Sequence, residues 1–147
     1  MARAEHSIVI ERPPNEVFAY LSDSSKLPEW QASLIEARQE TPEAMSAGTK
    51  VREVRKFLGK RMESVLEVTA YEPGRELSFK VVSGPLPFHV RQLLERVEVG
   101  TRIDVVMEGE PGGFFKLAEP FVVRAVEREL ANNLATLKDV LEAGETG

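Results

Sequence analysis

The chain has 147 residues, a net charge of −5 and no cysteine. A chain of this length suits one domain and buries about 68–70% of the surface it exposes when unfolded. The missing cysteines exclude disulfides, thiolate nucleophiles and cysteine-based metal sites, and the acidic balance argues against nucleic acid as a partner. The opening residues, Met1-Ala2-Arg3-Ala4-Glu5-His6, lack the apolar run of a signal peptide, and no stretch approaches the roughly 20 apolar residues of a membrane span. The expectation is a cytoplasmic protein without integral membrane association, one domain over residues 1–147 with an ordered core from about 4 to 143.

Residues 5–12 predict a strand, because His6, Ile8 and Ile10 alternate with Ser7, Val9 and Glu11. Pro13-Pro14 ends it, and Pro14 suits the first turn of a helix whose apolar face is Val17, Tyr20 and Leu21. Ser22 or Asp23 can cap a second short helix that buries Leu27 and Trp30. From 33 to 110 the period is two. Turn signals recur at Ala47-Gly48, Leu58-Gly59-Lys60, Glu72-Pro73-Gly74-Arg75, Ser83-Gly84-Pro85 and Val99-Gly100-Thr101. Between them Met62, Ser64, Leu66, Val68 and Ala70 share one face of a strand. Leu77, Phe79 and Val81 share a face of the next, and Ile103, Val105 and Met107 of another. In strand 87–98, Val90, Gln92 and Leu94 fall on one side, while His89, Arg91, Leu93 and Glu95 fall on the wetter one. Pro111-Gly112-Gly113 then breaks the chain, and from about 113 to 142 the period becomes 3.6. Val123, Val126, Leu130, Leu134, Leu137 and Leu141 follow it, as do Phe114, Leu117 and Phe121, with a kink or break expected near Leu117 because of Pro120.

The order is strand, two short helices, six strands, long helix. One helix cannot tile a flat seven-stranded sheet, so the fold class is α+β, with a curved antiparallel sheet wrapped on the C-terminal helix. The space left between sheet and helix is a natural cavity for a small molecule.

The run Ile8-Val9-Ile10-Glu11-Arg12-Pro13-Pro14-Asn15-Glu16-Val17-Phe18-Ala19-Tyr20-Leu21, followed by Asp23 and Leu27-Pro28-Glu29-Trp30, resembles the opening of the START-like (SRPBCC) superfamily. That superfamily includes polyketide cyclase/dehydrase-type and birch-pollen-allergen-like proteins. Gly48-Thr49, Tyr71-Glu72-Pro73-Gly74-Arg75, Gly100-Thr101 and Leu117-Ala118-Glu119-Pro120-Phe121 continue the resemblance over nearly the whole chain. It implies the helix-grip fold and an elongated apolar cavity under the last helix. Its members carry lipids, sterols or polyketides, a few cyclise or dehydrate polyketides, and some act through protein partners.

The residues expected to meet a ligand are the inward-facing ones. They are Trp30 at the cavity mouth, Phe57, Met62, Leu66, Phe79, Val81, Val90, Met107, Leu117 and Phe121, and the polar Ser64, Gln92, Arg124 and Arg128. Inward polar groups are either satisfied by the protein or orient a ligand. Arg124 or Arg128 facing the cavity points to a carboxylate or enolate on that ligand. His6 and His89 lack metal-ligand spacing, and no nucleophile elbow, phosphate loop or dinucleotide motif occurs, so no cofactor, metal or catalytic residue is assigned. Carboxylates such as those of Glu127-Arg128-Glu129 read as solvated surface runs. Lys50, Arg52, Arg55, Lys56, Lys60 and Arg61, offset mainly by Glu53, read as outward positions of a hairpin, or as a docking patch for an acidic partner. The leading expectation is binding or transport of an apolar small molecule (lipid, sterol, quinone or polyketide-like). A polyketide cyclase/dehydrase-like enzyme is the alternative, and a protein-interaction module with a filled core is the third. A weak homodimer is compatible with the sequence.

Overall fold

The structure is a computed structural model that describes residues 2–40, 44–57, 59–84, 87–109 and 119–143. Strand β1 (Ala2–Ile10) is followed by helix α1 (Pro14–Leu21) and a 3₁₀ helix (Ser24–Glu29). Then come β2 (Leu34–Gln39), β3 (Lys50–Phe57), β4 (Lys60–Glu72), β5 (Glu76–Ser83), β6 (Phe88–Val97), β7 (Gly100–Gly109) and helix α2 (Glu119–Ala143). The seven strands form one antiparallel sheet in the order β1-β7-β6-β5-β4-β3-β2. β2 to β7 are a meander, and β1 closes the far edge by pairing Ile8 with Ile103 and Ile10 with Thr101.

Local chemistry explains the boundaries. Pro13 is extended and Pro14 opens α1, where its missing N–H has no acceptor to lose. Val17, Phe18 and Leu21 are the buried face of α1, and Phe18 meets Tyr71 edge-on at 5.2 Å. Of the two capping candidates, Asp23 caps the 3₁₀ helix, accepting hydrogen bonds from the Ser25 backbone N–H and hydroxyl at 3.1 and 2.6 Å. Gly74 has φ 78°, and the Arg75 N–H donates to the Glu72 carbonyl at 2.8 Å, which closes the expected turn. Gly100 is demanded by crowding, since a Cβ there would lie 2.1 Å from the Ile10 carbonyl oxygen. Register shifts at Val65/Leu66 and Val68/Ala70 mark irregularities between β4 and β5, which bend the sheet around the helix.

Helix α2 has 25 residues, about 38 Å at 1.5 Å per residue. Its buried stripe is Val122, Asn133, Leu134, Leu137 and Leu141, with Val126 and Leu130 partly buried beside it. Leu134, Leu137 and Leu141 join Ile10, Val17, Leu77 and Ile103 in the main core, and Val122 packs with Phe57 and Met62 in a second cluster. The last turns are latched to the end of β1. Lys138 donates to the Val9 carbonyl, Arg12 to the Glu142 carbonyl, and the Glu11 N–H to the Glu142 carboxylate.

Three expectations about this helix are corrected. Phe121 is 69% exposed, and Arg124 and Arg128 are also on the outside. The reason is phase. The buried stripe runs through Val122 and Val126, and at about 100° per residue positions 121, 124 and 128 fall on the opposite side. They share the spacing of Phe114 and Leu117, which lie outside the described residues, as does the expected break near Leu117.

Candidate functional site

Between the concave face of the sheet and α2 lies a cavity of about 1080 Å³, its open part included. The apolar wall comes from alternate residues of five strands: Val51 and Phe57 of β3, Met62 and Leu66 of β4, Phe79 of β5, Phe88 and Val90 of β6, and Val105 and Met107 of β7. Val126, Leu130 and Leu134 of α2 form the roof, and Leu21, Leu27 and Trp30 plug one end. A smaller space of about 390 Å³ adjoins it, sharing Phe88, Met107 and Val126 and continuing to Arg3, Ala4, Val122 and Val123.

Of the residues singled out from sequence, Trp30, Phe57, Met62, Leu66, Phe79, Val90, Gln92 and Met107 line the cavity. Trp30 is only 7% exposed and belongs to the inner wall, not to an open rim. Ser64 and Val81 are half-buried and do not line it. Both lie near the β4–β5 irregularity, where Ser64 abuts the Gly84 backbone so closely that a Cβ on Gly84 would come within 2.6 Å of its hydroxyl. Phe121, Arg124 and Arg128 are outside for the reason given above, and Leu117 lies outside the described residues. His89 is exposed on the convex side, its Nε2 at 3.2 Å from the Thr69 hydroxyl. Among the described residues no group of His, Asp and Glu could hold a metal ion.

A polar cluster in the wall escaped the sequence reading. On β3, Val51, Glu53, Arg55 and Phe57 alternate inward, so two residues expected to be solvated line the cavity. Arg55 Nη2 donates to Glu53 Oε1 at 2.7 Å and to Gln31 Oε1 at 3.0 Å. Arg55 Nη1 donates to the Ser33 hydroxyl at 3.0 Å and stands 3.5 Å from the Glu129 carboxylate. The Ser33 hydroxyl in turn donates to Glu129, and Asn133 accepts from the Ala32 N–H at 3.1 Å while its amide approaches Glu129 at 3.5 Å. Glu129 and Asn133 reach the site because they are i+3 and i+7 from Val126. Two carboxyls therefore converge on one guanidinium, in a wall otherwise made mostly of apolar side chains. The signal was present: the alternation on β3 puts Glu53 and Arg55 in step with Val51 and Phe57. The run of basic neighbours concealed it.

The Trp30 indole N–H is buried and has no hydrogen-bond partner among the described residues. Gln92 likewise has no side-chain partner there, although it sits in the wall. Fixed donors and acceptors in an apolar cavity can orient a polar group on a bound molecule, and paired carboxyls can move protons.

The sequence profile of the family described as "Polyketide cyclase / dehydrase and lipid transport" matches residues 1–142. The chain belongs to this family. No curated protein matches it. Among solved structures it is similar to TTHA0849 from Thermus thermophilus, with a TM-score of 0.84 at 19% identity over 97% of this chain and 99% of that one. A START superfamily protein from Mycobacterium smegmatis gives 0.80 at 13% identity, covering 97% and 99%. The Aha1 dimer from Colwellia psychrerythraea gives 0.69 at 20% identity, covering 99% and 100%. These likenesses establish the START-like fold. The polyketide cyclase/dehydrase and lipid transport family and this fold together make the chain a hydrophobic-ligand-binding fold. No helix among the described residues is long and apolar enough to cross a membrane.

Proposed function

We propose that this protein, acting as one domain over residues 1–147 in the cytoplasm, binds or carries an apolar small molecule of the lipid, sterol, quinone or polyketide class. The observation that carries the reading is a cavity whose wall is mostly apolar, its polar residues being the cluster at Arg55, the amide of Gln92 and the hydroxyls of Ser22 and Ser24. An apolar body would rest against Phe57, Met62, Leu66, Phe79, Val90 and Met107, and Trp30 would close its end. Displacing water from such a wall supplies affinity at roughly 25 cal/mol per Å² of apolar surface buried, before the cost of immobilising the ligand. Native mass spectrometry of protein purified without detergent tests it. The expected result is an added mass that disappears on denaturation. A bare mass that stays unchanged after incubation with fatty alcohols, sterols, quinones and aromatic polyketides would count against it.

A cyclase- or dehydrase-like reaction is the second reading, favoured by the convergence of Glu53 and Glu129 on Arg55. In that case one carboxyl would act as the acid or base on a ligand held in place by the cavity. Glu53→Gln or Glu129→Gln should then abolish turnover while binding survives. The interaction-module reading calls for a filled core, and an open cavity gives it no support. A weak homodimer stays part of the proposal, with a structural neighbour described as a dimer on its side.

A further inference from the structure

Resting on the binding reading above, we infer that the polar end of the cavity selects a ligand whose head group is a hydroxyl, alcohol or phenol, and rejects carboxylate heads.

The first reason is charge. The charged side chains in the cavity wall, among the described residues, are Glu53, Arg55 and Glu129. The guanidinium already serves both carboxyls, at 2.7 Å and 3.5 Å. An anionic head would add a third negative group around one positive group. The arginines expected to welcome an acid, Arg124 and Arg128, are on the far side of α2.

The second reason is the hydrogen-bonding capacity left over. Gln31 and Glu53 both accept from the same atom, Arg55 Nη2, so their side chains are neighbours. With Gln31 Oε1 committed to the guanidinium, its NH₂ is the end left to donate. The second oxygen of Glu53 is left to accept. Neither has a partner among the described residues. A hydroxyl is the smallest group that satisfies both, accepting from Gln31 while donating to Glu53. A carboxylate can accept from Gln31 but has no proton for Glu53, which leaves two anionic oxygens facing each other.

The test uses the whole chain and matched straight-chain probes, decan-1-ol against decanoate, then longer pairs. Trp30 is the sole tryptophan and lines the cavity, so its fluorescence reports occupancy. The alcohol should bind at least about tenfold more tightly than the carboxylate of equal length, a difference of about 1.4 kcal/mol. In Glu53→Gln, which removes one negative charge, the ratio should fall towards one, mostly through a gain for the carboxylate. A carboxylate that binds the native protein as tightly as the alcohol overturns the head-group assignment while leaving cavity binding intact. So does an unchanged ratio in a folded Glu53→Gln variant. Binding of neither probe at any length, with native mass spectrometry also blank, removes the cavity-binding reading itself and this inference with it. Should Glu53→Gln not fold, the native ratio alone decides.

Discussion

Replacing Arg55 by methionine keeps an apolar stem of similar length and deletes the only positive group in the cluster. Glu53, whose side chain is 9% exposed, and Glu129, 22% exposed, would then face one another without a counter-charge. Removing one partner of a buried pair costs roughly 3–5 kcal/mol, because the penalty is that of the orphaned charge and not the worth of the pair. Here the site opens on a cavity and about a fifth of the Arg55 and Glu129 side chains is accessible, so solvent screening lowers the expectation to about 2–3 kcal/mol. For a domain of this size that corresponds to a fall in Tm of roughly 4–12 °C. The assay is urea denaturation at neutral pH, backed by a thermal melt. Adding Glu53→Gln to Arg55→Met should recover part of the loss, since one of the two opposed charges is gone. If Arg55→Met unfolds within about 0.5 kcal/mol of the native protein, the cluster is solvated and the reasoning fails. Failure of the second substitution to recover anything would show that the loss comes from packing and not from charge.

Further expectations concern the rest of the frame. The Glu142 carboxyl is held below its ordinary range, first by the Lys138 ammonium, then by the Glu11 N–H. A depressed folded value means its contribution is present above the unfolded value and lost as pH falls through the folded one, so Glu142→Gln should flatten the acid limb of a stability–pH curve, read from urea midpoints across pH. Gly100→Ala places a Cβ 2.1 Å from the Ile10 carbonyl and must push β1 from the turn, so urea midpoints should show a loss of about 2 kcal/mol or more. Phe121→Ala and Arg124→Gln, both on the outer face of α2, should leave Trp30 quenching by ligand unchanged and shift stability by no more than about 0.5 kcal/mol. A large loss of ligand affinity in either would show that this face belongs to the site.

The fold was legible in the residues because period two and period 3.6 are local. The alternation in β4, β5 and β7 and the proline–glycine turn at 73–74 need no knowledge of distant contacts. Inward and outward sides on β6 were legible for the same reason, with Val90 and Gln92 in the wall and His89 outside. Helix phase was harder. Two apolar series overlap near residue 120. Packing against the sheet selected the one that runs on through Val126 and Leu130, and the buried residue at its start is Val122 and not the expected Val123, while Phe121 is left outside.

What tertiary structure alone decided is the polar end of the cavity. Residues 31, 33, 53, 55, 129 and 133 come from the segment after the 3₁₀ helix, from β3 and from α2, so their chemistry exists only once the sheet has curled onto the helix. Read one at a time, Glu53 and Arg55 belong to a charged hairpin and Glu129 to a solvated helix face. Charge is a long-range quantity whose meaning depends on what stands across from it. Hydrophobic period is a short-range one, already written along the chain. The sequence by itself therefore determined the frame and most of the apolar wall, and the close approach of Arg55 to two distant carboxyls was settled by the fold.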